Sequence, residues 1–198
     1  MSSINPVFLL PAALARRAEA MGQGFADSLT MGAGQFCTNP GLVLAIEGPD
    51  LQRFVQAASE ALAKKSAQTM LTSGIHAAYR SGEEKMAATP GVQKLARGTG
   101  AGELQNAAEA ALFITDAQTM LTHSDLDSEV FGPASLIVRV RDMDELLAVA
   151  EHLEGQLTAT LQIDEDDHTQ ARRLLPVLER KVGRILANGF PTGVEVSH

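Results

Sequence analysis

Short apolar runs alternate along this chain with longer stretches whose apolar residues recur every three or four positions. That alternation constrains the fold more than any other feature. Val7 to Leu10 reads as a strand, and Leu14, Ala18, Met21, Phe25 and Leu29 then mark one face of an amphipathic helix. Leu42 to Ile46 reads as a buried strand ended by Gly48-Pro49. Asp50 is the expected cap of the next helix, with Leu51, Phe54, Val55, Ala58 and Leu62 on its inner face. Ala111 to Thr115 and Ser135 to Val140 are further strands. The second runs into a helix opened by a capping box of Asp142 and Glu145, with Met143, Leu146, Leu147, Ala150 and Leu153 as its apolar stripe. Leu157 to Ile163 returns as a strand, and Asp164 or Asp166 opens a helix with Leu174, Leu175 and Leu178 inward. Ile185 to Ala187 closes the series. Residues 73 to 105 carry Gly74, Gly82, Pro90, Gly91, Gly98, Gly100 and Gly102, and are expected to be irregular.

Strands separated by helices of this length need crossover connections, which make neighbouring strands parallel and cover both sheet faces. The expected fold is therefore α/β: a three-layer arrangement with a largely parallel sheet flanked by helices. An apolar fraction of 45% over 198 residues suffices for a sizeable core. With no internal repeat, low-complexity segment or linker, residues 1–198 read as one domain.

The formal charge of −8 argues against nucleic acid or an anionic membrane as the main partner. No stretch is apolar for long enough to span a bilayer, and the N-terminus lacks the basic and apolar regions of a secretory signal. One cysteine without an export signal points to a reducing cytoplasm.

That cysteine, Cys37, lies in Gly34-Gln35-Phe36-Cys37-Thr38-Asn39-Pro40-Gly41. A lone thiol forms no internal disulfide and no tetrahedral thiolate metal site. It is either a small buried apolar residue or a nucleophile. Gly34, Gly41, Gln35 and Asn39 are poor core material. They suit a loop that holds a thiol in the open with backbone N–H groups beside it. Histidines 76, 123, 152, 168 and 198 show no metal-ligand spacing, so no metal is assigned. Gly32-x-Gly34 and Gly98-x-Gly100-x-Gly102 do not sit between a strand and a helix, so neither reads as a phosphate loop. Asp125 and Asp127 read as a solvated acidic turn. Glu129 is different, since it stands against Val130 and Phe131 before Gly132-Pro133, a setting suited to gripping vicinal hydroxyls such as those of a ribose.

Three segments occur in order: Gly34-Gln35-Phe36-Cys37, Glu129-Val130-Phe131-Gly132-Pro133 and Asn188-Gly189-Phe190-Pro191-Thr192-Gly193. Together they resemble the catalytic half of the aldehyde dehydrogenase superfamily, over nearly the whole chain. The run Gln35 to Val43 is closest to the branch acting on 2-oxoglutarate semialdehyde, some members of which are described as fatty or general aldehyde dehydrogenases. The resemblance implies that Cys37 is the nucleophile and that its backbone N–H supplies half of an oxyanion hole. It implies that Glu129 and Phe131 contact the ribose and nicotinamide part of NAD or NADP. Phe36 and Thr38 would line the aldehyde pocket, with Phe190 and Pro191 near its mouth. The substrate would be a small aldehyde, and the parent enzyme a homo-oligomer.

The family's nucleotide-binding domain, its glutamate base and its asparagine oxyanion donor would all precede Met1, and a further segment would follow His198. The chain therefore reads as an excised catalytic domain. A positioned base contributes roughly a hundred- to ten-thousand-fold, so the isolated chain is expected not to turn over aldehydes with NAD(P). Two other readings are a cysteine-dependent esterase or acyl-transfer protein, and a non-catalytic structural domain with Cys37 buried.

Overall fold

The computed structural model describes residues 3–100 and 102–191. Its centre is a seven-stranded sheet in the order β4-β6-β7-β2-β1-β8-β9. These strands are β1 (Val7–Leu9), β2 (Leu42–Ile46), β4 (Gln93–Arg97), β6 (Ala111–Asp116), β7 (Ala134–Val140), β8 (Gln156–Gln162) and β9 (Val182–Ala187). All neighbours are parallel except the edge strand β4, which runs antiparallel to β6 with a bulge between Lys94 and Ala96. A two-stranded ribbon, β3 (Gln68–Thr69) with β5 (Ala107–Ala108), lies apart from it. The expected α/β class and three-layer arrangement are both found.

Side chains on a strand alternate between faces, and the core divides accordingly. Val7, Leu9, Val43 and Ala45 pack against α1 (Pro11–Thr30) and α2 (Pro49–Leu62). Phe8, Leu42, Leu44 and Phe113 face the opposite way. There they meet α3 (Ser73–Ala88), α4 (Ala117–Thr122), α5 (Met143–His152) and α6 (His168–Lys181). No helix among the described residues is long and apolar enough to cross a membrane.

The segment expected to be irregular holds α3 and β4. Thr72 caps α3, its hydroxyl accepting the N–H of Ile75 at 3.2 Å. Ile75, Tyr79 and Met86 form its apolar stripe. Gly82, which argued against a helix, lies on the same face, where a Cβ would stand 3.0 Å from Val130 Cγ1. The glycine thus makes room for a neighbour instead of breaking the helix. Glu83 is 2% exposed and pairs with Lys94 at 2.8 Å and Arg97 at 3.6 Å, which fastens α3 to β4. The partners of Glu83 lie on another element, so nothing in its own segment marks it as buried.

Three helix starts also differ from expectation. Gly48 stands at the N-cap of α2 and Pro49 in its first turn, while Asp50 makes no cap bond and instead pairs with Arg53 at 2.9 Å. Asp164 forms a capping box with Asp167 over a short 3-10 turn, and α6 begins only at His168. Asp142 does cap α5 through the N–H groups of Asp144 and Glu145, but Glu145 turns to the N–H of Arg141.

The longest helix, α1, has Leu10 at its N-cap and therefore no side-chain cap of its own. Asp167 replaces it, its carboxylate accepting from Ala12 N at 2.8 Å and Ala13 N at 2.9 Å. An anion at a helix N-terminus satisfies orphan donors and opposes the positive end of the dipole. The far end of α1 delivers the chain into the thiol loop.

Candidate active site

Two of the sequence-predicted segments, those of Cys37 and Glu129, lie at the amino ends of adjacent strands, beside two residues not singled out by sequence. Cys37 precedes β2, Glu129 to Pro133 precede β7, and Asn5 precedes β1, while Gln156 opens β8. These strands are neighbours in the order β7-β2-β1-β8. Open parallel sheets ordinarily bind ligands at the carboxyl ends, so this placement is set by the loops and not by the sheet.

Cys37 is exposed. That removes the premise of the reading in which it is a buried structural residue. Its loop is built by two devices. A 3-10 turn at Met31–Gly34 carries Gly32, Ala33 and Gly34 through positive φ, a region that glycine enters without steric cost. Gln68 Oε1 then takes the N–H of Ala33 at 3.0 Å, and Gln35 Oε1 takes that of Leu71 at 2.9 Å. The Phe36–Asn39 turn is closed by the N–H of Asn39 donating to Phe36 O at 3.1 Å.

The thiol loop and the acidic turn are locked together. Gly34 lies against the Gly132–Pro133 peptide, and Asn39 Nδ2 donates to Gly132 O at 3.0 Å. Gly132, at φ 149°, in turn lies against the Tyr79 ring, whose hydroxyl donates to Glu109 O at 2.6 Å. Burial, with the nearby Glu83 charge, raises the Tyr79 phenol well above its ordinary range. A narrow crevice of about 20 Å³, room for about one water, lies between the two loops. Gly34 and Asn39, on either side of Cys37, line it together with Glu129 and Phe131. Asn39 Oδ1 is buried there without a partner among the described residues.

The other sequence-predicted residues fall in different settings. Phe36 is 40% exposed and Phe131 36% exposed. Glu129 is half-buried. Thr38, expected in the aldehyde pocket, is only 1% exposed, and its hydroxyl has no partner among the described residues. Phe190 and Pro191 reach this end indirectly. The chain leaves β9 at the carboxyl end and doubles back along α1. Asn188 takes Arg17 at 3.0 Å, Phe190 packs on Phe25 with ring centroids 6.2 Å apart, and Ser28 Oγ lies 3.5 Å from Pro191 O. Thr192 and Gly193, the end of that motif, lie outside the described residues.

Asn5 is the residue that the sequence reading passed over. It is 1% exposed at φ 46°, and its amide group is fully used. Nδ2 donates to Cys37 O and Asn39 O, both at 3.0 Å. Oδ1 accepts from Ser3 Oγ at 2.8 Å, Thr158 Oγ1 at 3.1 Å and Thr158 N at 3.2 Å. Gln156 Oε1 holds the backbone beside it, accepting from Ile4 N at 2.7 Å and Asn5 N at 3.3 Å. The signal available in the sequence was the repeated dipeptide Asn-Pro, at 5–6 and 39–40, which marks a turn before each of two strands.

Comparison with known proteins places this arrangement. No family model matches the chain. It is 62% identical over 196 residues to alpha-ketoglutaric semialdehyde dehydrogenase 2 of Azospirillum brasilense, covering 99% of this chain and 37% of that protein. It is 44% identical over 198 residues to the alpha-ketoglutaric semialdehyde dehydrogenase of Acinetobacter baylyi, covering 100% and 38%. Among solved structures, PnpE in complex with nicotinamide adenine dinucleotide superposes with a TM-score of 0.80 at 16% identity, over 98% of this chain and 40% of that one. A putative aldehyde dehydrogenase from Burkholderia cenocepacia gives 0.78 at 19% identity, over 98% and 41%. At such identities the structural likeness speaks to the fold. The chain spans less than two-fifths of the length of the curated relatives it matches. With sequence identity sustained along nearly its full length and the same fold, the chain belongs to the aldehyde dehydrogenase superfamily, beside the alpha-ketoglutaric semialdehyde dehydrogenases.

Proposed function

We propose that this chain is the thiol-bearing catalytic part of an NAD(P)-dependent aldehyde dehydrogenase that oxidises 2-oxoglutarate semialdehyde, or a related small aldehyde, to the acid. One observation carries the reading. An exposed Cys37 stands in a loop interlocked, through Gly34 and Asn39, with the turn that bears Glu129 and Phe131. A nucleophile and a carboxylate suited to sugar hydroxyls are thereby held in fixed relation.

In this reading the Cys37 sulfur, as thiolate, adds to the aldehyde carbon and gives a thiohemiacetal. The proton lost from the thiol goes to a base that the resemblance puts before Met1. The Cys37 N–H stabilises the oxyanion; no backbone carbonyl among the described residues takes it. A bound nicotinamide supplies the acceptor for the hydride that leaves the same carbon. What remains on Cys37 is a thioester, and water releases the acid and restores the thiol. The donor set fits such a cofactor. Glu129 is half-buried, and its carboxylate can accept from two adjacent hydroxyls. Phe36 and Phe131 supply apolar surface around the aldehyde and cofactor, and Pro191 with Phe190 closes the α1 side. The working compartment is a reducing cytoplasm, where an exposed thiol stays free, and the assembled enzyme is a homo-oligomer.

The test is a graft. The matching 196-residue stretch of the Azospirillum relative is replaced by this chain, and reduction of NAD and NADP is followed with 2-oxoglutarate semialdehyde. Activity is expected, and loss of at least a thousandfold in Cys37→Ala. A folded graft without activity, or an active Cys37→Ala graft, would overturn the reading.

A further inference from the structure

We propose that Asn5 is a positioning residue for the nucleophile, acting through the backbone of the Phe36–Asn39 turn; the inference rests on the reading of Cys37 given above. The geometry is specific. The two hydrogens of the Asn5 amide have their shortest bonds to the carbonyls of Cys37 and Asn39, at 3.0 Å each. The amide cannot be turned over without facing its oxygen to those carbonyls and its nitrogen to the Thr158 N–H. Its orientation is therefore fixed from both sides, by β8 behind and the thiol loop in front.

A peptide is planar, so a carbonyl pulled inward sends the next N–H outward. With the Cys37 carbonyl held by Asn5, the N–H of Thr38 points away from Asn5. Among the described residues no backbone carbonyl takes the N–H of Cys37 or of Thr38. Asn5 thereby fixes the peptide that follows the nucleophile, and the aim of its N–H, without touching the substrate. Such donors count only where the oxyanion forms, and a misplacement of about 1 Å can cost a hundredfold.

A positioning role separates two reactions of the same sulfur. Alkylation by iodoacetamide displaces iodide and develops no oxyanion. Acylation by p-nitrophenyl acetate does: the thiolate adds to the ester carbonyl, the C–O bond to p-nitrophenolate breaks, and an acetyl thioester remains on Cys37. Both rates are measured on the 198-residue chain and on Asn5→Ala and Asn5→Asp, with Cys37→Ala as the blank and thermal melting for each. Asn5→Asp keeps the acceptor side toward Ser3 and Thr158 and tolerates positive φ, but replaces the donors with an oxygen that repels the two carbonyls. The expected result is acylation reduced at least tenfold in both variants, with alkylation within about twofold of wild type. Equal acylation in variant and wild type, a parallel fall of both rates, or failure of both variants to fold would overturn the proposal. A wild-type chain whose Cys37 alkylates but does not acylate would instead overturn the functional reading itself, and this inference with it.

Discussion

A Cβ placed on Gly34 would stand 2.4 Å from the carbonyl carbon of Gly132 and 2.4 Å from the nitrogen of Pro133. Both neighbours are backbone, so neither can swing aside, and φ at Gly34 is +66°. Gly34→Ala therefore has to part the thiol loop from the acidic turn. The expected cost is about 2–4 kcal/mol from strain and overpacking. That amounts to a fall in melting temperature on the order of 10 °C for a chain of this size. A melting temperature within two or so degrees of wild type would show that the interlock is not there.

The same substitution should have the opposite sign at Gly74. It sits in the first turn of α3 at negative φ, and the nearest atom to an added Cβ is Thr72 Oγ1 at 3.9 Å. Gly74→Ala is expected to stabilise by about 0.5–1 kcal/mol, mainly by restricting the unfolded chain. Chemical denaturation midpoints decide it, and a lowered midpoint would contradict the helical assignment of this segment.

Asp167 is 1% exposed and serves three N–H groups, those of Ala12, Ala13 and Asp164. Asp167→Ala strands all three and is expected to cost about 2–4 kcal/mol. The loss should concentrate at the start of α1, so hydrogen exchange of Leu14 and its neighbours would accelerate more than that of α2. Uniform acceleration would argue that the residue caps nothing in particular.

Tyr79 is the only tyrosine and the chain has no tryptophan, so tyrosinate absorbance reports one site. Burial first, then the Glu83 charge, raises its pKa in the folded state. For an acid held neutral, the associated stability is fully present below the unfolded value of about 10. It is lost as pH rises toward the folded value. Tyrosinate absorbance and loss of circular dichroism should therefore appear together above pH 10. Ionisation near pH 10 with the fold intact would contradict the packing of the ring under Gly132.

Asp116 shows the reverse sign. The N–H of Thr119, donated to its carboxylate at 2.8 Å, holds its pKa below the ordinary value, and Arg139 adds to this. Its contribution is present above the unfolded pKa of about 4 and disappears as pH falls through the folded one. Asp116→Ala should lose about 1 kcal/mol of capping at neutral pH, and the difference from wild type should shrink below pH 4. A difference independent of pH would mean that the carboxylate charge has no part in it.

Much of this molecule could be read along the chain. The apolar runs at Val7, Leu42, Ala111, Ser135 and Leu157 became central strands, because a strand buried on both faces must be apolar throughout. The stripes from Leu14 to Leu29 and from Leu51 to Leu62 became α1 and α2, because period and burial are both local. The identity of Cys37 as a lone thiol among small and amide residues was legible for the same reason. Other features are pairings across the fold. Glu83 with Lys94, Gly82 with Val130, and Asp167 with a helix start 155 positions away leave no local trace. The direction that Cys37 faces belongs to this second group. Its loop is held by Asn5, Asn39 and Gly132, which the sheet brings together from the amino ends of separate strands. Periodicity encodes which side of an element is buried, but a hydrogen bond between distant segments exists only once packing has set the distance between them.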